Sequence, residues 1–238
     1  DKRGEEMSYV YHGSKTQRLT KLIPHKSTHG TYVYASKSKA IAVIMSKKCG
    51  DDATYSLTTS SDGKLDLVER IPHAFDKMFS NEFSLYTLDS SFFRDINTGF
   101  NEVVSEYEVP IICEETYGCL MNAINKLVED ELVHIYYYPN RPDYIPVDDY
   151  DLIDKIRNLY IKKMGKQMTD KEIARWIFLH PNLEEDLRKI AIEQGIEVPS
   201  YEKIKEKFIC FQKERPDCEM YIDNALEMND YYHLQRKK

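Results

Sequence analysis

Two short stretches of this sequence place a histidine and a tyrosine where they can bind a ligand. Residues 9–14 read YVYHGS, and residues 30–36 read GTYVYAS. A histidine followed by glycine at a strand end presents an imidazole beside a main-chain amide and carbonyl that no side chain screens. The pair His12 and Gly13 therefore suits a ligand that carries an amide group, although an ordinary surface histidine followed by a turn glycine gives the same pattern.

The second stretch has the composition of an aromatic strand. Because successive side chains of a strand point to opposite faces, Tyr32 and Tyr34 share one face. If that face lines a cleft beside His12, a tyrosine ring can stack on a flat cationic ring, which contributes about 1–2 kcal/mol when desolvated. An aromatic core strand has the same pattern. Ser36 ends the strand and is expected to cap a helix that begins near Lys39.

A pair of acids forms the third chemical feature. Glu106 and Glu108 precede the apolar residues 109–112. Within a strand, residues two apart face the same side, so both carboxylates would reach one site. One carboxylate can stabilise positive charge that develops on a ribose, and the other can accept a proton from an attacking group. Two solvated glutamates at a strand edge have the same spacing, and the choice of acid stays open among Glu108, Glu106 and Glu102.

Taken together, YHGS, a polar stretch, YVYAS and a helix that begins KSKAIAVI resemble the NAD-binding half of the ADP-ribosyltransferase superfamily. The resemblance is to the branch with a His-Tyr-Glu type of site, and the sequence is similar to the small rifampicin-type and bacterial toxin-like ADP-ribosyltransferases. It implies a glycosyltransferase that moves ADP-ribose from NAD to an acceptor and releases nicotinamide, in the role of a toxin or effector.

The same resemblance implies a role for individual residues. His12 would hydrogen-bond a ribose hydroxyl of NAD, Gly13 would hold the nicotinamide carboxamide through its backbone, and Tyr34 would stack on the nicotinamide ring. NAD would be a substrate, and no metal would be needed. The catalytic residues would be Glu108, Glu106, His12 and Tyr34, and the residues that bind NAD would be His12, Gly13, Ser14, Tyr32, Tyr34 and Ser36.

The sequence departs from this family at the acid. The rifampicin-type enzymes place their acidic residue differently, and a Glu-x-Glu pair is more typical of the branch with an arginine in the position of His12. Asp89 and Asp95, which follow the run SLYTL, are further candidates.

Two other classes of function stay open. A His-Gly-Ser strand also occurs in RNA 2′-phosphotransferases, which resemble the same fold but depend on several arginines; the arginines in the first part of this chain form no basic cluster. The other alternative is a module that binds NAD or ADP-ribose without turnover. The acceptor is likewise open among protein, nucleic acid, small molecule and water.

Composition narrows the setting of the protein. The chain has 238 residues, a net charge of −7 and five cysteines. Its charges are well mixed, which argues against a nucleic-acid-binding face, and the cysteine spacing fits neither a zinc site nor a disulfide framework. No long apolar run or signal-peptide core is present. We therefore expect a cytoplasmic protein with free thiols and with no membrane or metal partner.

The spacing of apolar residues predicts an α+β fold. The runs SYVYH, TYVYAS, FSLYTLD, EVPIIC and LVHIYYYP predict strands, and KSKAIAVIMSKK and GCLMNAINKLVEDE predict helices. The polar segment between residues 46 and 80 is expected to be mobile surface loop.

A proline-rich connection, PNRPDYIPVDDYD, separates this part from a helical one. Beyond it, Thr169 and Glu172 predict a capping box, Asn182 a helix cap and Gly195 a helix end. We expect an NAD-binding domain at 1–146, with the twisted two-sheet core of the ADP-ribosyltransferase-like fold that the resemblance implies. A helical C-terminal segment at 147–238 would pack on it, with Trp176 and Phe178 where the helices dock.

Overall fold

The structure, a computed structural model, describes residues 8–27, 29–96, 101–163, 168–198, 200–214, 226, 228 and 229. The chain divides into two compact units, each formed from two separate segments. The first unit comprises Asp1–Lys48 and Met78–Val133, and the second comprises Cys49–Lys77 and His134–Lys238. Helices and antiparallel sheets are both present, which confirms the α+β class.

Strands and three α-helices share the residues from Tyr9 to Tyr136, and the described elements from Asp151 onward are helical. The strands are β1 (Tyr9–Ser14), β2 (Lys21–Leu22), β3 (His25–Ser27), β4 (Gly30–Ser36), β5 (Tyr55–Thr59), β6 (Leu65–Glu69), β7 (Phe83–Asp89), β8 (Arg94–Asp95), β9 (Glu102–Ser105), β10 (Val109–Pro110), β11 (Cys113–Tyr117) and β12 (Val133–Tyr136). The helices are α1 (Lys39–Ile44), α2 (Ala74–Met78), α3 (Leu120–Glu129), α4 (Asp151–Arg157), α5 (Asp170–Leu179), α6 (Glu184–Glu193) and α7 (Tyr201–Lys213).

The first unit is built on a sheet whose described strands run in the order β11-β7-β1-β4-β9-β8. β3 also pairs with β4, and β2 pairs with β10 in a small separate sheet. β1 and β7 pair along the whole of β1, from Tyr9 opposite Asp89 to Ser14 opposite Ser84. β1 and β4, in contrast, register at a single position, Tyr11 opposite Ser36. The two strands that were singled out from the sequence are therefore neighbours that separate after one residue pair.

One face of this sheet packs against α1, and the other face carries a cluster of buried apolar side chains. Because Gly13 packs against α1, the residues that alternate with it on β1 face the other side. On that other side Val10 joins a buried cluster of apolar side chains from five further strands. α1 also packs against α3, whose buried Leu120, Ile124 and Leu127 each contribute about 1.5–3 kcal/mol by leaving water.

The predicted strands are confirmed in four of five cases, as β1, β4, β7 and β12. The run EVPIIC is different, because it is divided between β10 and the start of β11 with residues 111 and 112 outside both. The strand before it, β9, was not among the predicted ones.

The segment between residues 46 and 80 is not a surface loop, and that expectation was wrong. It contains β5, β6 and α2, and it contributes buried Leu67, Phe75 and Phe79. Polar residues made this segment resemble a surface loop, but the charged Arg70 is buried in an ion pair. The Arg70 guanidinium, whose side chain is 2% exposed, lies 2.7 Å from the Asp149 carboxylate.

The predicted boundary near residue 146 falls inside the second unit. Arg70 binds Asp149 at 2.7 Å and Asp151 at 2.5 Å, and Arg141 also reaches Asp149 at 3.1 Å. These ion pairs join Arg70, from the first segment of the unit, to aspartates inside the proline-rich connection. β12, β6 and β5 form the sheet of this unit.

Helix ends in the second unit follow the sequence in part. The capping box of Thr169 and Glu172 is confirmed, and Gly195 ends α6 with a φ of +72°. The expected cap at Asn182 was wrong: its amide donates to the Asp148 carbonyl at 2.6 Å, and Leu183 occupies the cap position without a side-chain bond.

The large aromatic residues of α5 lie where helices of the second unit pack. Phe178 is fully buried, and its ring stacks on that of Phe208 from α7 with centroids 5.0 Å apart. Trp176 is 4% exposed. Cys113, Cys119 and Cys210 are free thiols, Cys49 is buried, and Cys218 lies outside the described residues. Within the described ranges no helix has the length and apolar character needed to cross a membrane.

Candidate active site

The gap between β1 and β4 is bridged by a side chain. His12 donates from Nδ1 to the main-chain carbonyl of Tyr34 at 2.7 Å. Because a carbonyl can only accept, Nδ1 carries the proton and Nε2 of the neutral ring is an acceptor. Burial lowers the pKa of His12, an effect that outweighs the opposing hydrogen bond from its ring to Tyr34. The imidazole is therefore neutral at pH 7.

Gly13 directs its main-chain polar groups into the same gap. Ser90 donates to the Ser8 carbonyl at 3.0 Å, so Ser8 faces β7. Hydrogen-bonding direction alternates along a strand, and His12 therefore also faces β7 through its backbone. The intervening residues Tyr11 and Gly13 face β4 instead. Since β4 pairs with β1 only at Tyr11, the amide and carbonyl of Gly13 point toward the space where the strands have separated.

Glycine is also required at position 13 by packing. A Cβ built on Gly13 would lie 2.0 Å from Ser46 Oγ, 2.6 Å from the Ala42 carbonyl oxygen and 2.8 Å from the Phe83 ring. No side chain fits there unless α1 moves away from the strand. The absent side chain thus lets α1 approach closely enough to form one wall of the gap.

The gap opens into a pocket of about 140 Å³. A cavity of roughly 150 Å³ holds one benzene molecule, so this pocket has the size of a single aromatic ring. The sheet contributes polar and aromatic groups, and α1 with the turn after it contributes a mainly apolar wall. The lining residues are Tyr11, His12, Gly13, Tyr34, Ala35, Ser36 and Glu102 from the strands, and Ile41, Ala42, Met45 and Ser46 from the helical wall.

The two tyrosines of β4 share a face, as the alternation predicts, but only one borders the pocket. The rings of Tyr32 and Tyr34 meet edge to face with centroids 5.9 Å apart. Tyr34 borders the pocket, whereas the ring of Tyr32 lies under the Arg94 guanidinium at 5.4 Å. The Tyr34 hydroxyl is buried and has no hydrogen-bond partner in the described part of the chain.

The serines have local roles that differ from the expected ones. Ser36 is 4% exposed and borders the pocket, but it does not cap α1, so that prediction was wrong. Ser38 is the cap and accepts from the Ile41 amide at 3.3 Å, while Ser36 Oγ accepts from the Ser38 amide at 3.0 Å. Ser14 accepts from the Thr16 amide at 3.0 Å and does not border the pocket.

Among the three candidate glutamates, Glu102 is the one that borders the pocket. It begins β9 and lies opposite Ser36 in the ladder with β4, which brings it to the end of the strand that carries Tyr34. Its carboxylate makes no ion pair or hydrogen bond with any residue that the structure describes.

Glu106 and Glu108 lie elsewhere on the surface of the first unit. Glu106 pairs with Arg94 at 2.9 Å and Glu108 with Lys21 at 2.6 Å, and all four side chains are about half exposed. Neither glutamate is in a strand, because β9 ends at Ser105 and the chain bends before β10. The expected strand that would place both carboxylates on one side is absent there.

The two aspartates that were further candidates also lie outside the pocket lining. Asp89 accepts from the Ser91 amide at 2.8 Å and caps a short 3₁₀ turn. Asp95 pairs with Lys37 at 2.5 Å on the surface.

The sequence did not predict the helical wall of Ile41 and Met45, and it left Glu102 as one of three possible acids, behind Glu108 and Glu106. A signal for the wall exists, because α1 follows directly after the tyrosine strand and presents apolar residues along one side. For Glu102 the sequence carries one signal, which is its position directly before the apolar pair Val103 and Val104.

The residues that line the pocket thus include four with different functional groups: His12 with an acceptor nitrogen, Gly13 with an unscreened main chain, Tyr34 with an aromatic ring and Glu102 with a carboxylate. Such a set can bind an aromatic amide and stabilise a positive charge beside it. No group of described residues has the composition of a metal site. Comparison of the chain with protein-family models, with curated proteins and with solved structures finds no match.

Proposed function

We propose that this chain is an NAD-dependent ADP-ribosyltransferase whose first unit has the ADP-ribosyltransferase-like fold. The observation that carries the proposal is the convergence of His12, Tyr34 and Glu102 on one ring-sized pocket. These residues come from three different strands, and the order of their types along the chain is that of a His-Tyr-Glu site. The pocket takes the nicotinamide end of NAD, and the remainder of the dinucleotide lies outside it.

Each wall of the pocket binds a different part of this end of NAD. The backbone of Gly13 pairs with the carboxamide, which has one donor and one acceptor side, as the peptide group does. The nicotinamide ring is cationic in NAD and stacks on the Tyr34 ring, opposite the apolar wall that includes Ile41 and Met45. The free Nε2 of His12 accepts a hydrogen bond from a ribose hydroxyl.

Glu102 supplies the catalytic charge. When the bond between nicotinamide and ribose breaks, its electron pair leaves with nicotinamide, which becomes neutral, and the ribose becomes oxocarbenium-like. The Glu102 carboxylate, hydrogen-bonded to a ribose hydroxyl, stabilises that charge more in the transition state than in bound NAD. The acceptor then forms a bond to the ribose carbon and releases a proton.

Three matched glutamate variants test the acid. Glu102→Gln is expected to reduce nicotinamide release by about a hundredfold or more with little change in NAD affinity, because the contact remains and the charge is lost. Glu106→Gln and Glu108→Gln remove exposed ion pairs and should leave both quantities within about twofold. Release is measured with labelled NAD, and binding by calorimetry.

Different outcomes would refute the assignment of the acid and the proposed function itself. Loss of release in Glu108→Gln with a normal Glu102→Gln variant would show that the acid is misassigned. Absence of NAD binding in the unmodified protein would refute the function. Binding without release in the presence of a cell lysate would indicate a binding module, and removal of a 2′-phosphate from RNA in the presence of NAD would indicate a phosphotransferase.

A further inference from the structure

Behind His12 lies a buried tyrosine that the proposed reaction does not use. Tyr86 stands directly opposite His12 in the ladder between β1 and β7, so both side chains are on the same face. Its ring is fully buried and stacks against the imidazole, with centroids 6.5 Å apart and planes 27° from parallel. One face of the imidazole is therefore turned toward a ring that is itself fully buried.

The hydroxyl of Tyr86 is held by the turn that follows β1. It lies 2.9 Å from the Thr16 carbonyl and accepts from the Leu19 amide at 3.2 Å. It also lies 3.1 Å from the carboxylate of Glu114, which faces Tyr86 in the ladder between β11 and β7. Since a phenol has one proton, Thr16 and Glu114 share it as acceptors.

Glu114 completes this anchor. Its carboxylate accepts from Ser84 Oγ at 2.6 Å and from the Arg18 amide at 2.8 Å. Arg18 has a φ of +60°, a left-handed conformation that is uncommon outside glycine. The hydrogen bond from its amide to Glu114 helps to hold this turn in place.

We propose that Tyr86 is a positioning residue that holds the His12 imidazole in one orientation, and that Glu114 holds the Tyr86 hydroxyl and the turn after β1 in place. The Tyr86 ring supports the imidazole from behind, and the hydroxyl and carboxylate fix the turn at residues 16–19 that follows the histidine strand. With its ring orientation fixed, His12 keeps Nδ1 on the Tyr34 carbonyl and Nε2 free. The inference rests on the proposed function for its catalytic consequence but not for its effect on the imidazole.

Two variants of Tyr86 separate the ring from the hydroxyl. Tyr86→Phe keeps the ring, so nitrogen-15 NMR of His12 should still show a single tautomer protonated at Nδ1. Loss of the hydroxyl should raise amide hydrogen exchange at Leu19 about tenfold, the equivalent of one lost hydrogen bond. Tyr86→Leu removes the ring, and the His12 signals should then report a mixture of tautomers.

For turnover we expect Tyr86→Leu to lower kcat/KM for nicotinamide release by about tenfold or more, and Tyr86→Phe to retain most of the activity of the unmodified protein. Glu114→Gln tests the carboxylate separately and does not depend on the folding of Tyr86→Leu: it should raise exchange at the Arg18 amide while His12 keeps its tautomer.

A His12 tautomer that is unchanged in Tyr86→Leu would overturn the role of the ring. Slow exchange at Leu19 in Tyr86→Phe would overturn the role of the hydroxyl, and unchanged exchange at Arg18 in Glu114→Gln would overturn that of the carboxylate. These NMR results need no NAD. If the unmodified protein does not bind NAD, but His12 changes from one tautomer to a mixture in Tyr86→Leu, the inference is supported and the proposed function is refuted.

Discussion

The Nδ1 atom of His12 and the carbonyl oxygen of Tyr34 lie 2.7 Å apart, and this hydrogen bond joins two strands at the point where their ladder has ended. It defines which nitrogen of the ring is protonated and leaves the other as an acceptor. Because burial also keeps the ring neutral, that acceptor is present throughout the neutral pH range.

Replacement of His12 tests this acceptor. His12→Phe keeps a ring for Tyr86 to stack on but removes both nitrogens, so we expect NAD affinity measured by calorimetry to fall about tenfold, the value of one hydrogen bond. His25→Phe is the matched control, because the His25 ring also lies near Tyr34, at 6.0 Å, yet does not border the pocket. Equal affinities for the two variants would argue against a role for His12 in binding.

Two substitutions of Tyr34 separate its ring from its hydroxyl. The hydroxyl is buried and has no hydrogen-bond partner among the residues that the structure describes, so Tyr34→Phe should leave the free energy of unfolding unchanged or raise it by up to about 1 kcal/mol, with NAD affinity retained. Tyr34→Ala removes the stacking surface and should weaken binding about tenfold without abolishing it. Urea unfolding and calorimetry measure the two effects. Tyr34→Phe binding as weakly as Tyr34→Ala would mean that the hydroxyl, not the ring, contacts the ligand.

The glycine at position 13 offers a direct test of packing. Gly13→Ala places a methyl group against Ser46 and the Ala42 carbonyl, and it should lower the free energy of unfolding by roughly 1–3 kcal/mol. Gly118→Ala is the matched control, because a Cβ there meets nothing within 4 Å. Its effect should stay within about 0.5 kcal/mol. Similar stabilities for both variants would contradict the close approach of α1 to β1.

Acid should destabilise the second unit through His180. This fully buried imidazole donates from Nε2 to the Ala53 carbonyl, and burial lowers its pKa from 6.5 to about 4, although Asp149 nearby opposes that shift. Arg70 and Arg175 add to the lowering. The unfolded chain binds this proton more readily than the folded one. The contribution of neutral His180 to the free energy of unfolding is therefore fully present above about pH 6.5. It is lost as the pH decreases toward 4, and the loss is about 2 kcal/mol at pH 5.

Urea unfolding at pH 7 and pH 5 checks this prediction. His180→Gln keeps a donor for the Ala53 carbonyl but does not titrate in this range, so its loss of stability between the two pH values should be smaller than that of the parent protein. The difference between the two proteins isolates His180 from the other titrating groups. An equal loss in both would show that His180 does not cause the pH dependence.

Local patterns in the sequence determined much of the first unit. Alternating aromatic residues specified β1 and β4, and the amphipathic spacing of Leu120, Ile124 and Leu127 specified α3. The shared face of Tyr32 and Tyr34 follows from the two-residue period of any strand. These features depend on neighbours in the chain, and a single sequence contains that information.

Which candidate acid borders the pocket, and how the chain divides into units, depended on tertiary structure. Glu102 reaches the pocket because β9 pairs with β4 in a register that puts it opposite Ser36, and no spacing within the sequence encodes that register. Arg70 is charged yet buried, because its guanidinium pairs with the carboxylate of Asp149. Asp149 lies far along the chain, so no local pattern predicts this burial. Periodicity reports which residues share a face of one element, whereas pairing between distant segments decides which faces, charges and strand ends meet.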